Sequence, residues 1–323
     1  MIDAALLNCL ADGQFHSGQE IGKSLGISRS AVWKQVKYLE TLGVEVYSVR
    51  GRGYRIPGGL ELLNEAAVQE HFSGRLSQVV SKQVIDSTNL MALRELNQPD
   101  AHRSLYLAEY QESGKGRRGR RWVSPFASNL YMSLVWRFQQ GVAALEGLSL
   151  VVGVAVAEAL QAYGLSDVKL KWPNDLLVGQ SKLGGILLEM QGDASGECHV
   201  VIGIGLNVSM HENAATEVDQ PWTSVAGALK RPVSRNELLI SILERLIDRL
   251  EVFSQQGFSA FKSQWEALHA YQNEDITLHL GSKQISGRCV GVDEHGALLV
   301  DQGGEVKTYH AGEVSVRLHG TGH

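Results

Sequence analysis

Ten residues from Ser113 to Trp122 read Ser-Gly-Lys-Gly-Arg-Arg-Gly-Arg-Arg-Trp, placing five cationic side chains and three glycines in one short stretch. No packed core accommodates that density of charge, so the rest of the chain must fold with this segment at a surface or a ligand cavity. Its glycines let the backbone approach a ligand closely, and its guanidinium groups offer forked donors to phosphate or carboxylate oxygens. Upstream, Ser104 to Tyr110 alternates as a strand does, so the loop hangs from the end of a rigid element, where ligand loops usually sit. An anionic ligand is the leading reading of these residues. A solvated basic surface loop is the alternative that the segment alone leaves open.

Three nucleotide motifs are excluded. Gly114-x-Gly116-x-x-Gly119 matches the dinucleotide fingerprint literally, but Arg120-Arg121-Trp122-Val123-Ser124-Pro125 follows it, and that run cannot open the required helix. A Walker A loop needs Ser or Thr after its lysine, and Lys115 is followed by Gly116. The kinase glycine loop wants valine where Arg121 stands.

A length of 323 residues suggests two or three domains. No stretch approaches the roughly 18 apolar residues of a membrane span, and the start of the chain lacks a basic segment followed by an apolar one, so neither a membrane segment nor a secretion signal is expected. Cys9, Cys198 and Cys289 form no CxxC pair, which argues against a disulfide framework or zinc site and for free thiols in a reducing cytoplasm. Residues 1–57 carry seven Lys/Arg against five Asp/Glu, a net of +2, which leaves −7 for the remainder of a chain whose total is −5. A small basic head on an acidic body points to a polyanionic partner for the head alone.

The head reads as three helices. Ile2 to Leu10 has helical apolar spacing. Ser17 with Glu20 forms a capping box before Ile21 and Leu25, Gly26 supplies the turn, and Ser28 caps a helix that buries Ala31, Val32, Val36 and Leu39. Two short helices joined through a tight glycine turn make a helix-turn-helix, whose second helix offers Ser28, Arg29, Ser30, Trp33, Lys34, Gln35 and Lys37. Val44 to Val49 and Tyr54 to Ile56 flank Arg50-Gly51-Arg52-Gly53 as a hairpin with a cationic tip, the wing of a winged helix. DNA binding is the expected use, with protein contact or plain scaffolding as the alternative. A head this small is expected to act as a dimer on two half-sites. Pro57-Gly58-Gly59 reads as a linker.

From about residue 64 the pattern mixes strands and helices without regular βαβ repetition. Asp86-Ser87-Thr88-Asn89 follows a strand and carries N-cap chemistry for a helix through Leu96. Leu145 to Tyr163 reads as an apolar helix. Lys171-Trp172-Pro173-Asn174-Asp175 places a cation, an amide and a carboxylate around a turn fixed by proline. Lys182 precedes Leu183-Gly184-Gly185 and a strand, and Gly203-Ile204-Gly205-Leu206-Asn207 ends another with close-approach glycines. A Ser/His/Asp triad has no support, and no spaced set of metal ligands occurs.

In this order, the basic head, Asp86-Ser-Thr-Asn89, Glu109-Tyr-Gln111, the Gly/Arg loop, Lys171-Trp-Pro-Asn-Asp175, Lys182-Leu-Gly-Gly-Ile-Leu187 and Gly203-x-Gly-x-Asn207 resemble the bacterial bifunctional biotin protein ligases that also repress the biotin operon. The resemblance covers nearly the whole chain. It implies an α+β multidomain protein: a winged helix-turn-helix at 1–58, a mixed-sheet catalytic domain related to class II synthetases at 64–270, and an SH3-like β-barrel at 271–319. The tail agrees on its own terms, with five short strands between 276 and 318 separated by Gly- and Asp-rich turns.

The resemblance further implies an ATP-dependent ligase that makes biotinyl-5′-AMP with Mg²⁺ and passes biotin to a lysine of biotin carboxyl carrier protein. The adenylate would also serve as corepressor for a homodimer on operator DNA. By match to the family motif, Ser87, Thr88, Asn89, Gln111, Lys115, Gly116, Arg117 and Lys182 are expected to hold biotin. Arg117, Arg120, Trp122, Asn174 and Asn207 are expected on the nucleotide side. Lys182, Arg117 and Asp175 carry the catalytic assignment, Asp175 also being the candidate for Mg²⁺. The family usually has arginine where Lys115 stands, and lysine keeps the charge but loses the fork. A non-catalytic ligand sensor and a lipoate-type acyl ligase are the alternatives.

Overall fold

The structure, a computed structural model, describes residues 2–192, 196–211, 217–312 and 314–319. Local signals set the first three helices. In α1 (Ala4–Leu10) Asp3 caps the amide of Ala5, in α2 (Gly18–Leu25) the Ser17–Glu20 capping box forms in full, and in α3 (Arg29–Thr41) Ser28 Oγ accepts from Ala31 N. Gly26 ends α2 in the left-handed region at φ 66°. Leu6, Leu7, Leu10, Ile21, Val32, Val36 and Leu39 close a small apolar core. The hairpin β1 (Tyr47–Val49) and β2 (Gly53–Arg55) pairs antiparallel, and its tip holds Arg50 and Arg52. The first strand is shorter than its sequence suggests, because Val44 and Val46 turn into the head core and Val44 N bonds back to Leu39 O.

After α4 (Glu65–His71), strand β3 (Gln78–Ile85) leads through α5 (Thr88–Glu95) to β4 (Ser104–Gln111), which pairs parallel to β3. The remaining pairings are antiparallel: β5 (Leu130–Phe138), β6 (Val168–Lys171), β7 (Asp175–Val178), β8 (Ser181–Gly192) and β9 (Cys198–Leu206) complete a sheet of order β3-β4-β5-β9-β8-β7-β6. Alternation divides its faces. Tyr106, Val135 and Val201 pack under Ala92 and Leu96 of α5 and its following turn. Leu105, Leu134, Trp136 and Ile202 face α6 (Leu148–Ala162), with α8 (Arg235–Gln256) packed against it after the short α7 (Val225–Leu229). The helix predicted from Leu145 starts at Leu148, because Gly147 adopts φ 79° and Leu145 lies in a separate 3₁₀ turn.

Helix α9 (Lys262–Leu268) leads into β10 (Asp275–Leu280), β11 (Lys283–Val292), β12 (Leu298–Asp301), β13 (Val306–Tyr309) and β14 (Val314–Leu318), an antiparallel sheet of order β13-β12-β11-β10-β14. This sheet shares one apolar cluster with the central domain through Ile276, Leu278, Val292 and Leu298. Trp172 Nε1 donates to Gly296 O across the boundary at 3.0 Å.

The segment after the head is fastened rather than loose. Glu61 accepts from Ser234 Oγ, Arg235 N and Asn236 Nδ2 at the start of α8, while Leu63 N donates to Glu109 Oε1 at 2.6 Å. Buried Arg235 stands 2.8 Å from Glu109 Oε2 and donates to Asn129 O. A second tie is not legible in the sequence: Phe126 leaves the central domain and buries its ring in the head core, beside an amide contact from Phe126 N to Leu42 O.

Candidate active site and DNA-facing surface

The ends of β4, β8 and β9 open into a cavity of about 550 Å³, walled by the Gly/Arg loop on one side and by β14 on another. Its floor is neutral and polar. Thr88 N donates to Gln111 Oε1 (2.9 Å), Gln111 Nε2 donates to Ser124 Oγ (3.2 Å), and Ser133 Oγ lies 2.8 Å from Thr88 Oγ1. Asn89 Nδ2 donates to Glu189 Oε2 at 2.8 Å. The expected capping by this segment takes another form: Ser87 occupies the N-cap position without a side-chain cap bond, and the amide side chain of Gln111 receives Thr88 N instead. Gly203 makes the floor possible, since a Cβ there would stand 2.2 Å from Asn89 Oδ1.

The opposite end is cationic. Lys182 Nζ pairs with Asp175 Oδ1 at 2.7 Å, with both side chains less than a fifth exposed, and lies 5.6 Å over the Trp122 ring. The indole rests on strand backbone, because a Cβ on Gly205 would meet it at 2.5 Å. Trp122 Nε1 is buried with no partner among the described residues. Lys171 also lines this end. Burial pulls its pKa below the usual lysine value, opposed by Asp175 and reinforced by Lys182, Arg317 and Arg120.

The loop itself is a compact hairpin, closed by Trp122 N to Gly114 O (2.8 Å) and Gly116 N to Arg120 O (2.7 Å), with a 3₁₀ turn at Arg117–Gly119. Arg117 is its structural anchor. One nitrogen donates to Asn174 Oδ1 at 3.1 Å and another to the carbonyls of Ala311 and Gly312 before β14, so loop, Trp-Pro-Asn-Asp turn and tail meet at one guanidinium. Desolvation lowers its pKa, but a guanidinium stays charged.

The structure thus gathers Ser87, Thr88, Asn89, Gln111, Lys115, Gly116, Arg117, Arg120, Trp122, Asn174, Asp175 and Lys182 around one cavity. Asn207 is the exception. It is buried beside the cavity, with Nδ2 donating to Thr223 O and its backbone N to Leu183 O, and does not reach the lining. Sequence reading passed over Lys171 as a site residue and missed Ser124, Ser133, Glu189 and Arg317. A lone serine or a charge in a tail strand carries no local signal; only the three-dimensional pairing brings it in.

On the head, Ser28, Arg29, Ser30, Trp33, Lys34 and Lys37 are exposed along α3, and Arg50 and Arg52 at the hairpin tip. Arg52 stacks 4.2 Å over the Phe15 ring, which holds its guanidinium in place. Gln35, half-buried on the same helix, accepts from Asp3 N through Oε1 at 2.7 Å, which ties α3 to the start of α1.

Comparison with known proteins decides between the readings of this arrangement. Residues 81–207 match the model of the biotin/lipoate A/B protein ligase family, residues 4–55 an HTH domain, and residues 272–317 the biotin protein ligase C terminal domain. The chain is 41% identical over 315 residues to the bifunctional ligase/repressor BirA of Escherichia coli, covering 97% of this chain and 96% of that one. The chain belongs to the bifunctional biotin ligase/repressor family. The corresponding protein of Bacillus subtilis is 29% identical, covering 95% of each chain. A solved biotin protein ligase from Aquifex aeolicus, in complex with biotin and ATP, superposes with a TM-score of 0.65 at 30% identity over 74% of this chain and 98% of that one. Membership makes the chain a biotin–protein ligase, and its helix-turn-helix that of a repressor. Among the described residues no helix is long and apolar enough to cross a membrane.

Proposed function

We propose that this cavity joins biotin to ATP and then to a carrier protein, and that the adenylate it makes sets the state in which the head binds DNA. The observation that carries the reading is the polarity of the cavity: a neutral hydrogen-bonding floor at Thr88 and Gln111 faces a cationic end at Lys182, Lys171 and Arg120. Biotin has the matching ends, a neutral ureido ring and a carboxylate.

In the first step a biotin carboxylate oxygen attacks the α-phosphorus of ATP and pyrophosphate leaves. Two anions must meet, so the protein's contribution is positive charge and alignment rather than acid–base chemistry. Lys182 Nζ neutralises the carboxylate during approach, and Arg117 and Arg120 face the phosphates. Trp122 supplies an apolar wall for the nucleotide, with Asn174 holding Arg117 in place. In the second step a neutral lysine amine of biotin carboxyl carrier protein attacks the acyl carbonyl, AMP leaves, and the nitrogen loses a proton. Lys182 polarises that carbonyl.

Mg²⁺ fits as a nucleotide-borne ion. No cluster of three acidic, His or Cys side chains exists among the described residues, and Mg²⁺ commonly needs only one protein carboxylate beside substrate phosphates. Asp175 would be that carboxylate, and the ion would offset phosphate charge.

The divisions at 1–58, 64–270 and 271–319 are taken as a winged-helix DNA-binding domain, a catalytic domain related to class II synthetases and an SH3-like barrel. The hairpin and the antiparallel tail sheet support those assignments. Ser28, Arg29, Ser30, Trp33, Lys34, Gln35, Lys37, Arg50 and Arg52 face operator DNA in a cytoplasmic, adenylate-bound homodimer. Incubation with biotin, Mg-ATP and a biotin-carrier fragment, followed by intact mass, tests the reading. A gain of one biotinyl group per carrier is expected, and an unmodified carrier under conditions that label it with an authentic ligase refutes the reading.

A further inference from the structure

The chain passes from the head to the ligase domain without slack. On the head side, Leu60 N donates to Ala11 O at 3.0 Å, and Gly59 packs so closely that a Cβ there would stand 2.3 Å from the same oxygen. On the other side, each residue from Glu61 to Asn64 is tied to the start of α8 or to β4. The Glu61 carboxylate accepts from Ser234 Oγ and from the first amides of α8, and Leu62 O accepts from Asn236 Nδ2 at 2.9 Å. Leu63 N donates to Glu109 Oε1 at 2.6 Å, and Asn64 N to Asn236 Oδ1 at 2.8 Å. The changeover falls on the single peptide between Leu60 and Glu61. Leu62 packs against the head core, and Leu63 beside it belongs to the ligase core.

Arg235 closes the joint. Its guanidinium donates to Glu61 O and to Asn129 O just ahead of β5, and stands 2.8 Å from Glu109 Oε2. One side chain thus gathers the linker and two strands. Arg235 is 2% exposed and Glu109 4%. Burying such a pair carries a desolvation cost that its attraction offsets only in good geometry, and apolar residues of similar volume often fasten a fold as well or better. Directional bonds supply what apolar packing does not: they fix the angle at which the head leaves the body.

That angle matters on DNA. With one head on its half-site, the second head of a homodimer meets the other half-site intramolecularly, at an effective concentration set by how narrowly the joint confines it. One added base pair moves that half-site about 3.4 Å along the axis and turns it about 35° around the duplex. A stiff joint concentrates the second head at one spacing, whereas a loose one spreads it over several at lower affinity.

We infer that Arg235 and Glu61 are positioning residues for operator recognition, locking each head at one orientation so that the homodimer accepts a single half-site spacing. The inference rests on the reading of the head as the DNA-binding unit of a homodimer.

The test uses the full chain with biotin and Mg-ATP. A duplex selected from a random pool by the wild-type chain is resynthesised with its half-sites moved apart by one, two and five base pairs, and also as a single half-site. Fluorescence anisotropy at fixed salt gives each Kd. Glu61→Ala/Asn236→Ala removes the linker's side-chain ties and leaves Arg235 facing Glu109. Arg235→Met/Glu109→Gln removes both buried charges and keeps an acceptor for Leu63 N. Wild type should lose at least about tenfold in affinity at two added base pairs, well inside the roughly 10²–10⁴ that linkage of two sites contributes. Each variant should bind the selected spacing about tenfold more weakly and vary less than about threefold across spacings, while its half-site Kd and its pyrophosphate-release rate stay at the wild-type values. A merely stabilising role would weaken every duplex alike. A wild-type spacing profile in the variants overturns the inference, as does equal weakening on half-site and full duplex. Should the Arg235 variant fail to fold by thermal melt, the Glu61/Asn236 variant carries the comparison. Failure of the wild-type chain to select DNA, or to bind it as a dimer, instead overturns the DNA-binding reading.

Discussion

Lys182→Met removes the charge at the cationic end while keeping most of the stem that packs beside Gly185 and Trp122. Its first consequence concerns Asp175, which stands 2.7 Å away and is 17% exposed. Breaking a fully buried pair costs about 3–5 kcal/mol. Here water reaches part of both groups, so a stability loss of about 1–2 kcal/mol is expected. The second consequence falls on the ligand. A hydrogen bond to a charged group contributes about 1.5–3 kcal/mol, so biotin Kd should rise about ten- to a hundredfold. Part of that rise is not lost attraction but new repulsion between the ligand carboxylate and uncompensated Asp175. The double variant Lys182→Met/Asp175→Asn separates the two. It should regain several-fold in biotin affinity over the single variant, by calorimetry, while pyrophosphate release stays abolished for want of the cation. Wild-type turnover in the single variant would refute the role of Lys182. No recovery in the double variant would refute the repulsion argument.

Gly205→Ala drives a methyl group into the Trp122 indole at 2.5 Å and should raise the KM for ATP about tenfold or more, read from initial rates, with biotin Kd nearly unchanged. Lys115→Arg should slow escape of biotinyl-AMP, measured by quenched release into excess streptavidin; an unchanged rate means that residue 115 acts through its backbone. Phe126→Ala empties a ring from the head core, where such truncations cost about 3–5 kcal/mol. Operator binding in gel shifts should fall, protease cleavage should increase in residues 57–63, and biotin transfer should be largely retained. Finally, burial holds the His269 pKa down from 6.5 to about 4, so the folded state favours the neutral ring. The unfolded chain takes up its proton first as pH falls below 6.5. The stabilisation is therefore complete above about pH 6.5 and declines by about 3 kcal/mol toward pH 4. His102, also at about 4 through burial and Arg103, adds to the same slope, so His269→Gln should flatten part of the melting-temperature profile and not all of it.

The sequence is most informative where chemistry is local. Capping boxes, left-handed glycines and apolar periodicity place α2, α3 and α6 to within a few residues, because each signal is satisfied by its own neighbours. The glycines of β9 are legible as close-approach positions, but not what approaches them: Asn89 at Gly203 and Trp122 at Gly205 come from segments about a hundred residues upstream. Long-range partners are equally illegible: Gln35 Oε1 receives Asp3 N from the start of α1. Asn207 Nδ2 donates to Thr223 O, 16 residues further along the chain.

One short segment runs from the ligase cavity to the head core. Residues Trp122 to Ser128 are too few to be independent of either partner. Trp122 lies on Gly205 in the cavity wall, while Phe126, four residues on, lies in the head core. Between them Ser124 Oγ receives Gln111 Nε2 from the cavity floor, and Ala127 N donates to Glu109 O two residues earlier on the same strand. Glu109 in turn faces Arg235, whose neighbours hold Glu61 of the linker. The expectation that follows is that a shift of Trp122 on nucleotide binding would be opposed at one end by strand backbone and passed at the other to a ring packed in the head. The coupling requires that Trp122 and Phe126 move together, so Phe126→Ala should make operator affinity independent of biotin and ATP, whereas Phe126→Leu, which refills the site, should restore the dependence.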